Sequence, residues 1–196
     1  MTRKVKVAVL ISGRGSNMKA LIEACENQDF PAEISLVLAN KKDALGLEFA
    51  KNKNIKTAII EHKNFNSRED FDRKLDEEIL AHNIEIVCLA GFMRLLSPWF
   101  TNKWHDKLIN IHPSFLPDFK GANAVEDAIN AGAKFSGCTV HYVRAEMDSG
   151  PIIKQVKVDI LAIDTKQTLA DKILEQEHKI YPEALKIASL NYLQNR

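Results

Sequence analysis

The stretch VAVLISGRGSNMKALIEA, residues 7–24, decides the fold. An aliphatic run stops at Ser12-Gly13-Arg14-Gly15-Ser16-Asn17. A segment with Met18, Leu21, Ile22 and Cys25 on one helical face starts directly after it. A strand apolar on both faces is one buried in a parallel sheet. The turn then reads as the link from that strand into a helix capped by Ser16 or Asn17. Outward from there, strands are expected at 34–39, 57–60 and 85–90 and helices at 44–52 and 67–82, an order βαβαβαβ. A fifth strand, 107–111, leads into an irregular loop, 112–121, that holds Pro113 and Pro117. A helix at 122–131 follows. Two alternating strands, 136–143 and 151–158, flank a turn-rich stretch and predict an antiparallel pair at a sheet edge. The last helix, 165–192, carries Leu169, Ile173, Ile180, Ala184 and Ile187 on one stripe, and Pro182 should kink or break it. The fold class expected is α/β: one domain over residues 1–196, Rossmann-like, a mostly parallel twisted sheet with helices on both faces and antiparallel strands in the C-terminal part.

Composition narrows the partners. With 27 basic and 26 acidic residues the formal net charge is +1, which gives no electrostatic footprint for nucleic acid or a membrane surface. No apolar run approaches the roughly 20 residues of a membrane span. Residues 1–13 have a basic start and a short apolar run, but Lys4 and Lys6 interrupt it and no small-residue cleavage site follows, so a first strand is the reading, not a signal peptide. Cys25, Cys88 and Cys138 are far apart and sit among apolar residues, as buried thiols of a reducing compartment do. A cytoplasmic protein acting on small molecules, with no metal, is expected, as a monomer or weak homodimer.

Two constellations carry chemistry. In an α/β sheet, ligands gather beyond the carboxyl ends of the strands, where Gly15, Ser16 and Asn17 offer close backbone approach and a helix N-terminus, the makings of a phosphate site. The third glycine of a dinucleotide fingerprint is replaced by Met18, and no Lys-Ser or Lys-Thr pair follows. A tight turn with a side-chain cap would account for the same residues. Further on, Asn110 and His112 are two apart at a strand end and point to one side. An amide donor and an imidazole suit addition to a carbonyl carbon: one stabilises the oxyanion, the other handles the proton. A polar pair satisfying loop carbonyls is the plainer alternative. Asp148 lies in a turn; near His112 it would orient the ring and raise its pKa.

The motifs SGRGSN (12–17), AGFMRLLS (90–97), INIHPSFLP (109–117) followed by Lys120-Gly121, GCTVHYV (137–143), MDSGPI (147–152) and QEHKIYP (176–182) together resemble the folate-dependent glycinamide ribonucleotide formyltransferases, over nearly the whole chain. The resemblance implies formyl transfer from 10-formyltetrahydrofolate to the amine of glycinamide ribonucleotide. It implies Asn110, His112 and Asp148 as the catalytic trio, and Gly15, Ser16, Asn17 and Glu177 as ribonucleotide contacts. On the folate side it implies Arg68, Met93, Arg94, Leu95, Leu96 and Asn110. Val125 stands where many relatives carry histidine, so no polar role is expected there. His105, His141 and His178 are read as structural or surface residues. A hydrolase releasing formate from the same donor would share the trio. A noncatalytic binding module would not need it. A transferase acting on initiator tRNA would normally bring a further nucleic-acid domain and more basic charge.

Overall fold

The computed structural model describes residues 3–195. Its elements run β1 (Val5–Ile11), α1 (Ser16–Cys25), β2 (Ala32–Ala39), α2 (Gly46–Asn52), β3 (Lys56–Ile59), α3 (Arg68–Ala81), β4 (Ile86–Leu89), α4 (Pro98–Lys103), β5 (Leu108–His112), α5 (Ala124–Asn130), β6 (Phe135–Tyr142), β7 (Ile152–Asp159) and α6 (Lys166–Gln194). One seven-stranded sheet, in the order β3-β2-β1-β4-β5-β6-β7, holds them together. Neighbours from β3 to β5 are parallel, and β5–β6 and β6–β7 are antiparallel. The mixed sheet follows the expected plan. The order reverses at β1 and β4, which opens a crevice at their carboxyl ends.

The two sheet faces bury separate cores. Val7, Val9 and Ile11 of β1 pack with Met18 and Leu21 of α1 and with Ile173, Tyr181 and Leu185 of α6. Ala8 and Leu10 face the other way, to Phe71, Leu75 and Ile79 of α3, Phe100 of α4 and Trp104 just after it. This two-sided burial is why the strand reads as a continuous apolar run. No helix among the described residues is long and apolar enough to cross a membrane.

Three local expectations are corrected. The N-cap of α1 is Gly15, in the left-handed region at φ 71°, with no side-chain cap; Ser16 is already helical, and the Asn17 amide is used elsewhere. Pro182 does not break α6, which runs for 29 residues. Proline removes the hydrogen bond to the carbonyl four residues back, but Tyr181, Ala184 and Leu185 are buried around it and hold the helix on the sheet. The stripe of α6 continues through Ala188, while Ile187 is 40% exposed. Val125 packs partly buried against the first core, as a nonpolar position does.

Candidate active site

The crevice between β1 and β4 is a cleft of about 260 Å³ lined by residues 12–17, Lys41, Ala90, Gly91 and Met93. Its floor is built by close backbone packing. A Cβ on Gly15 would lie 3.1 Å from the Gly46 Cα, and one on Gly46 would lie 2.7 Å from Ile11 Cδ1 and 3.2 Å from the Gly15 Cα. The Gly46 N–H also donates to the Gly13 carbonyl at 3.1 Å. The loop's second glycine thus meets two demands, a left-handed backbone and contact with the start of α2. Ser12 ties the strand ends together: its hydroxyl donates to Asn40 Oδ1 at 2.7 Å and accepts from the Met93 N–H at 2.8 Å.

Asn17 and Glu177 meet beneath this loop. Asn17 Nδ2 donates to Glu177 Oε2 at 2.6 Å, while Asn17 Oδ1 is buried with no hydrogen-bond partner. Burial pushes the Glu177 carboxyl up to about 7, against the hydrogen bond from Asn17. Buried polar capacity left unmet beside a cleft fits a ligand that brings hydroxyl groups.

The second half of the site is a cross-strand arrangement. Asn110 faces His141 directly in the β5–β6 register, and His112 faces Thr139. Asn110 Nδ2 lies 3.4 Å from His141 Nε2, and His141 Nδ1 lies 3.0 Å from the Tyr142 carbonyl. His112 Nε2 lies 2.9 Å from the Phe119 carbonyl. These partners assign the tautomers: each ring gives its N–H to a backbone carbonyl and turns its bare nitrogen inward. Between the bare nitrogens sits the Asp148 carboxylate, Oδ2 at 3.5 Å from His112 Nδ1 and Oδ1 at 3.6 Å from His141 Nε2. A proton taken up by the His112 ring completes an N–H···O bond to Asp148.

Electrostatics keep this group poised. Burial lowers the His112 pKa, opposed by the Phe119 carbonyl and the Asp148 charge, so the free ring is neutral at neutral pH. Burial alone would raise Asp148. His141, the Gly121 N–H (2.9 Å) and His112 around the carboxylate instead bring it down to about 2. Asp148 reaches this position from a left-handed backbone, φ 50°, a conformation that aspartate tolerates better than most side chains.

The sequence-derived candidates fall into three places. Asn110, His112 and Asp148 converge, and His141 joins them, contrary to its reading as a structural or surface residue. Gly15, Ser16, Asn17 and Glu177 also converge. On the third wall, Met93 lines the cleft and is 70% exposed, Leu95 is 52% exposed, and Leu96 is buried in the second core. Arg68, first residue of α3, and Arg94 are both exposed. The roles of Ser12, Gly46 and Lys41 have no separate signal in the sequence. For His141 a signal exists: in GCTVHYV, Cys138 and Val140 alternate with Thr139 and His141, so the last two share one face.

Residues 5–185 match the sequence profile of the formyl transferase family. The chain is 46% identical over 193 residues to the trifunctional purine biosynthetic protein adenosine-3 of Gallus gallus, covering 98% of this chain but 19% of that protein. It thus spans about a fifth of the length of that relative. It is 41% identical over 181 residues to the phosphoribosylglycinamide formyltransferase of Haemophilus influenzae, covering 92% of this chain and 85% of the relative. The crystal structure of phosphoribosylglycinamide formyltransferase from Brucella melitensis superposes with a TM-score of 0.90 at 42% identity, covering 95% of this chain and 96% of that one. The chain belongs to the formyl transferase family and groups within it with the phosphoribosylglycinamide formyltransferases.

Proposed function

We propose that this chain acts in the cytoplasm as one formyltransferase domain that moves a formyl group from 10-formyltetrahydrofolate to the amine of 5'-phosphoribosylglycinamide, a step of purine biosynthesis. The observation that carries the reading is the convergence of Asn110, His112, His141 and Asp148 on one side of β5 and β6. The phosphate of the ribonucleotide takes the amides of Gly15, Ser16 and Asn17 at the start of α1. Glu177 and the unpartnered Asn17 Oδ1 take its hydroxyl groups. The flat ring of the donor lies against Met93 and Leu95, whose exposed apolar side chains suit an aromatic surface. Arg68 and Arg94 supply positive charge for the acidic tail.

The unprotonated amine attacks the formyl carbon. The carbonyl electron pair moves to oxygen, where Asn110 Nδ2 donates to the oxyanion. Collapse breaks the bond to N10. The proton lost by the amine is delivered to N10 through His112 and a water, with Asp148 stabilising the imidazolium while it exists. His141 holds Asn110 and Asp148 in place from the opposite strand.

The test is a spectrophotometric assay of deformylation of 10-formyl-5,8-dideazafolate by purified protein with and without the ribonucleotide. Deformylation that requires the ribonucleotide is the expected result. Equal deformylation without it makes the protein a hydrolase, and none in either case from folded protein makes it a binding module.

A further inference from the structure

Helix α3 turns two carboxylates inward, one helical turn apart: Asp72 is fully buried and Asp76 nearly so. Asp76 is fully engaged. Its Oδ1 accepts the Trp104 indole N–H at 2.9 Å and its Oδ2 accepts Lys103 at 2.5 Å, which fastens the far end of α4. Asp72 is not. Its Oδ2 accepts the Ser97 N–H at 2.6 Å, and its Oδ1 is buried with no hydrogen-bond partner. A buried carboxylate with half its acceptor capacity unmet is costly. Burial pushes its pKa up, against hydrogen bonding to Ser97 and the charges of Arg68 and Arg94. Packing alone favours an apolar residue at such a place. What Asp72 supplies and an apolar residue does not is an anchor for one amide.

That amide ends the donor-side wall. Ser97 caps α4, its Oγ accepting from the Phe100 N–H at 3.3 Å. At the other end of the wall the Met93 N–H is held by Ser12 Oγ at 2.8 Å. Between the two anchors the side chains of Met93, Arg94 and Leu95 are exposed, and only Leu96 is buried. The segment is therefore a strap tied at both ends. Arg68 lies four residues before Asp72, on the adjacent turn of the same helix.

We propose that Asp72 is the positioning residue of the donor-side wall: by holding the Ser97 amide it fixes residues 93–96 relative to Arg68 and so sets affinity for the folate donor. The inference rests on the formyl-transfer reading above. A residue that only staples α3 to α4 would change stability and both substrates' binding together.

Steady-state kinetics with 10-formyl-5,8-dideazafolate and the ribonucleotide separate the two. Asp72→Ala is expected to raise the donor KM roughly tenfold, with the ribonucleotide KM and kcat within about twofold. Asp72→Asn, whose amide oxygen still accepts from Ser97, is expected to recover most of the loss. Equal rises in both KM values, an unchanged donor KM, or an Asn variant no better than Ala would overturn the proposal. Where Asp72→Ala does not fold, amide exchange in the wild type decides: the Ser97 N–H should exchange more slowly than those of Arg94 and Leu95 and slow further when dideazafolate binds. Equal rates, or no response to dideazafolate, refute the anchor. Exchange and dideazafolate binding need no turnover, so a wild type that fails to transfer formyl overturns the reaction and leaves this readout intact.

Discussion

Replacing Glu177 by glutamine should make the protein more stable and less able to bind its ribonucleotide. Glu177 is 7% exposed, and its carboxyl titrates at about 7 instead of the ordinary 4.5. The folded state therefore holds the proton more tightly than the unfolded chain. The stability associated with the neutral form is complete below the unfolded value of 4.5 and is lost as pH rises through about 7. With each pKa unit equal to about 1.4 kcal/mol, ionisation costs about 1 kcal/mol at pH 5 and about 3 kcal/mol at pH 8. Glutamine keeps the acceptor for Asn17 Nδ2, now 2.6 Å from Oε2, and cannot ionise. Urea unfolding at the two pH values should show the variant's advantage growing by about 2 kcal/mol, a shift of roughly 4–8 °C in Tm for a chain of this size. Stability curves that stay parallel from pH 5 to pH 8 refute the reasoning. In the same variant the ribonucleotide KM should rise roughly tenfold, the loss expected on removing a charged acceptor. Unchanged affinity would detach Glu177 from the substrate.

The other predictions concern the reacting groups and the loop floor. Asn110→Ala should fold normally and lose ~10²–10³ in kcat, the usual effect of removing an oxyanion donor; near-wild-type turnover removes Asn110 from that role. Asp148→Asn should lower kcat with little change in ribonucleotide KM. The Asp148 charge favours the His112 imidazolium, so its loss should move the limb of the kcat–pH profile that belongs to His112 to lower pH. NMR titration of the ring checks the assignment, and an unmoved limb separates the two groups. Gly46→Ala places a methyl 2.7 Å from Ile11 Cδ1 and 3.2 Å from the Gly15 Cα. Overpacking of this kind costs about 1–3 kcal/mol and should displace the phosphate loop, raising the ribonucleotide KM while calorimetry finds dideazafolate affinity unchanged.

Much of this architecture was legible because local signals coincide with it. β1 is apolar throughout since it is buried on both faces, and Gly15 marks the end of the turn since α1 begins from a left-handed residue. The cap of α1 was misread for a related reason. Asn17 is a good capping residue, but it lies inside the first turn of α1, turned toward a buried carboxylate 160 positions away that takes its Nδ2, and no local rule registers that partner. The break expected at Pro182 fails in the same way: intrinsic cost is local, whereas the burial of Tyr181 and Leu185 against the sheet is not. His141 reads in the sequence as a single histidine, because its significance comes from the strand opposite. Gly46 was invisible for want of a side chain, since the close contact it permits is with a loop met 30 residues earlier.

The layer structure explains why the reacting groups lie on β5 and β6. Residues alternate across a strand, so each position answers to the layer that covers it. Ile109 and Ile111 of β5, with Cys138 and Val140 of β6, face the core closed by α1 and α6. Leu108 points the other way and is buried with Phe100 of α4 and Trp104 just after it. Asn110 and His112 share its face of β5, and Thr139 and His141 continue that face onto β6; His112 and His141 there meet Asp148. The change from apolar to polar along one face of β5 therefore falls where the cover changes from the aromatic side chains of α4 to the loop carrying Asp148. A substitution such as His141→Leu tests this directly: restored apolar alternation should preserve or raise stability while turnover falls, since the neighbour of Asn110 and Asp148 is lost. A His141→Leu protein with unimpaired turnover would mean that β6 serves the site only as a support for its loops.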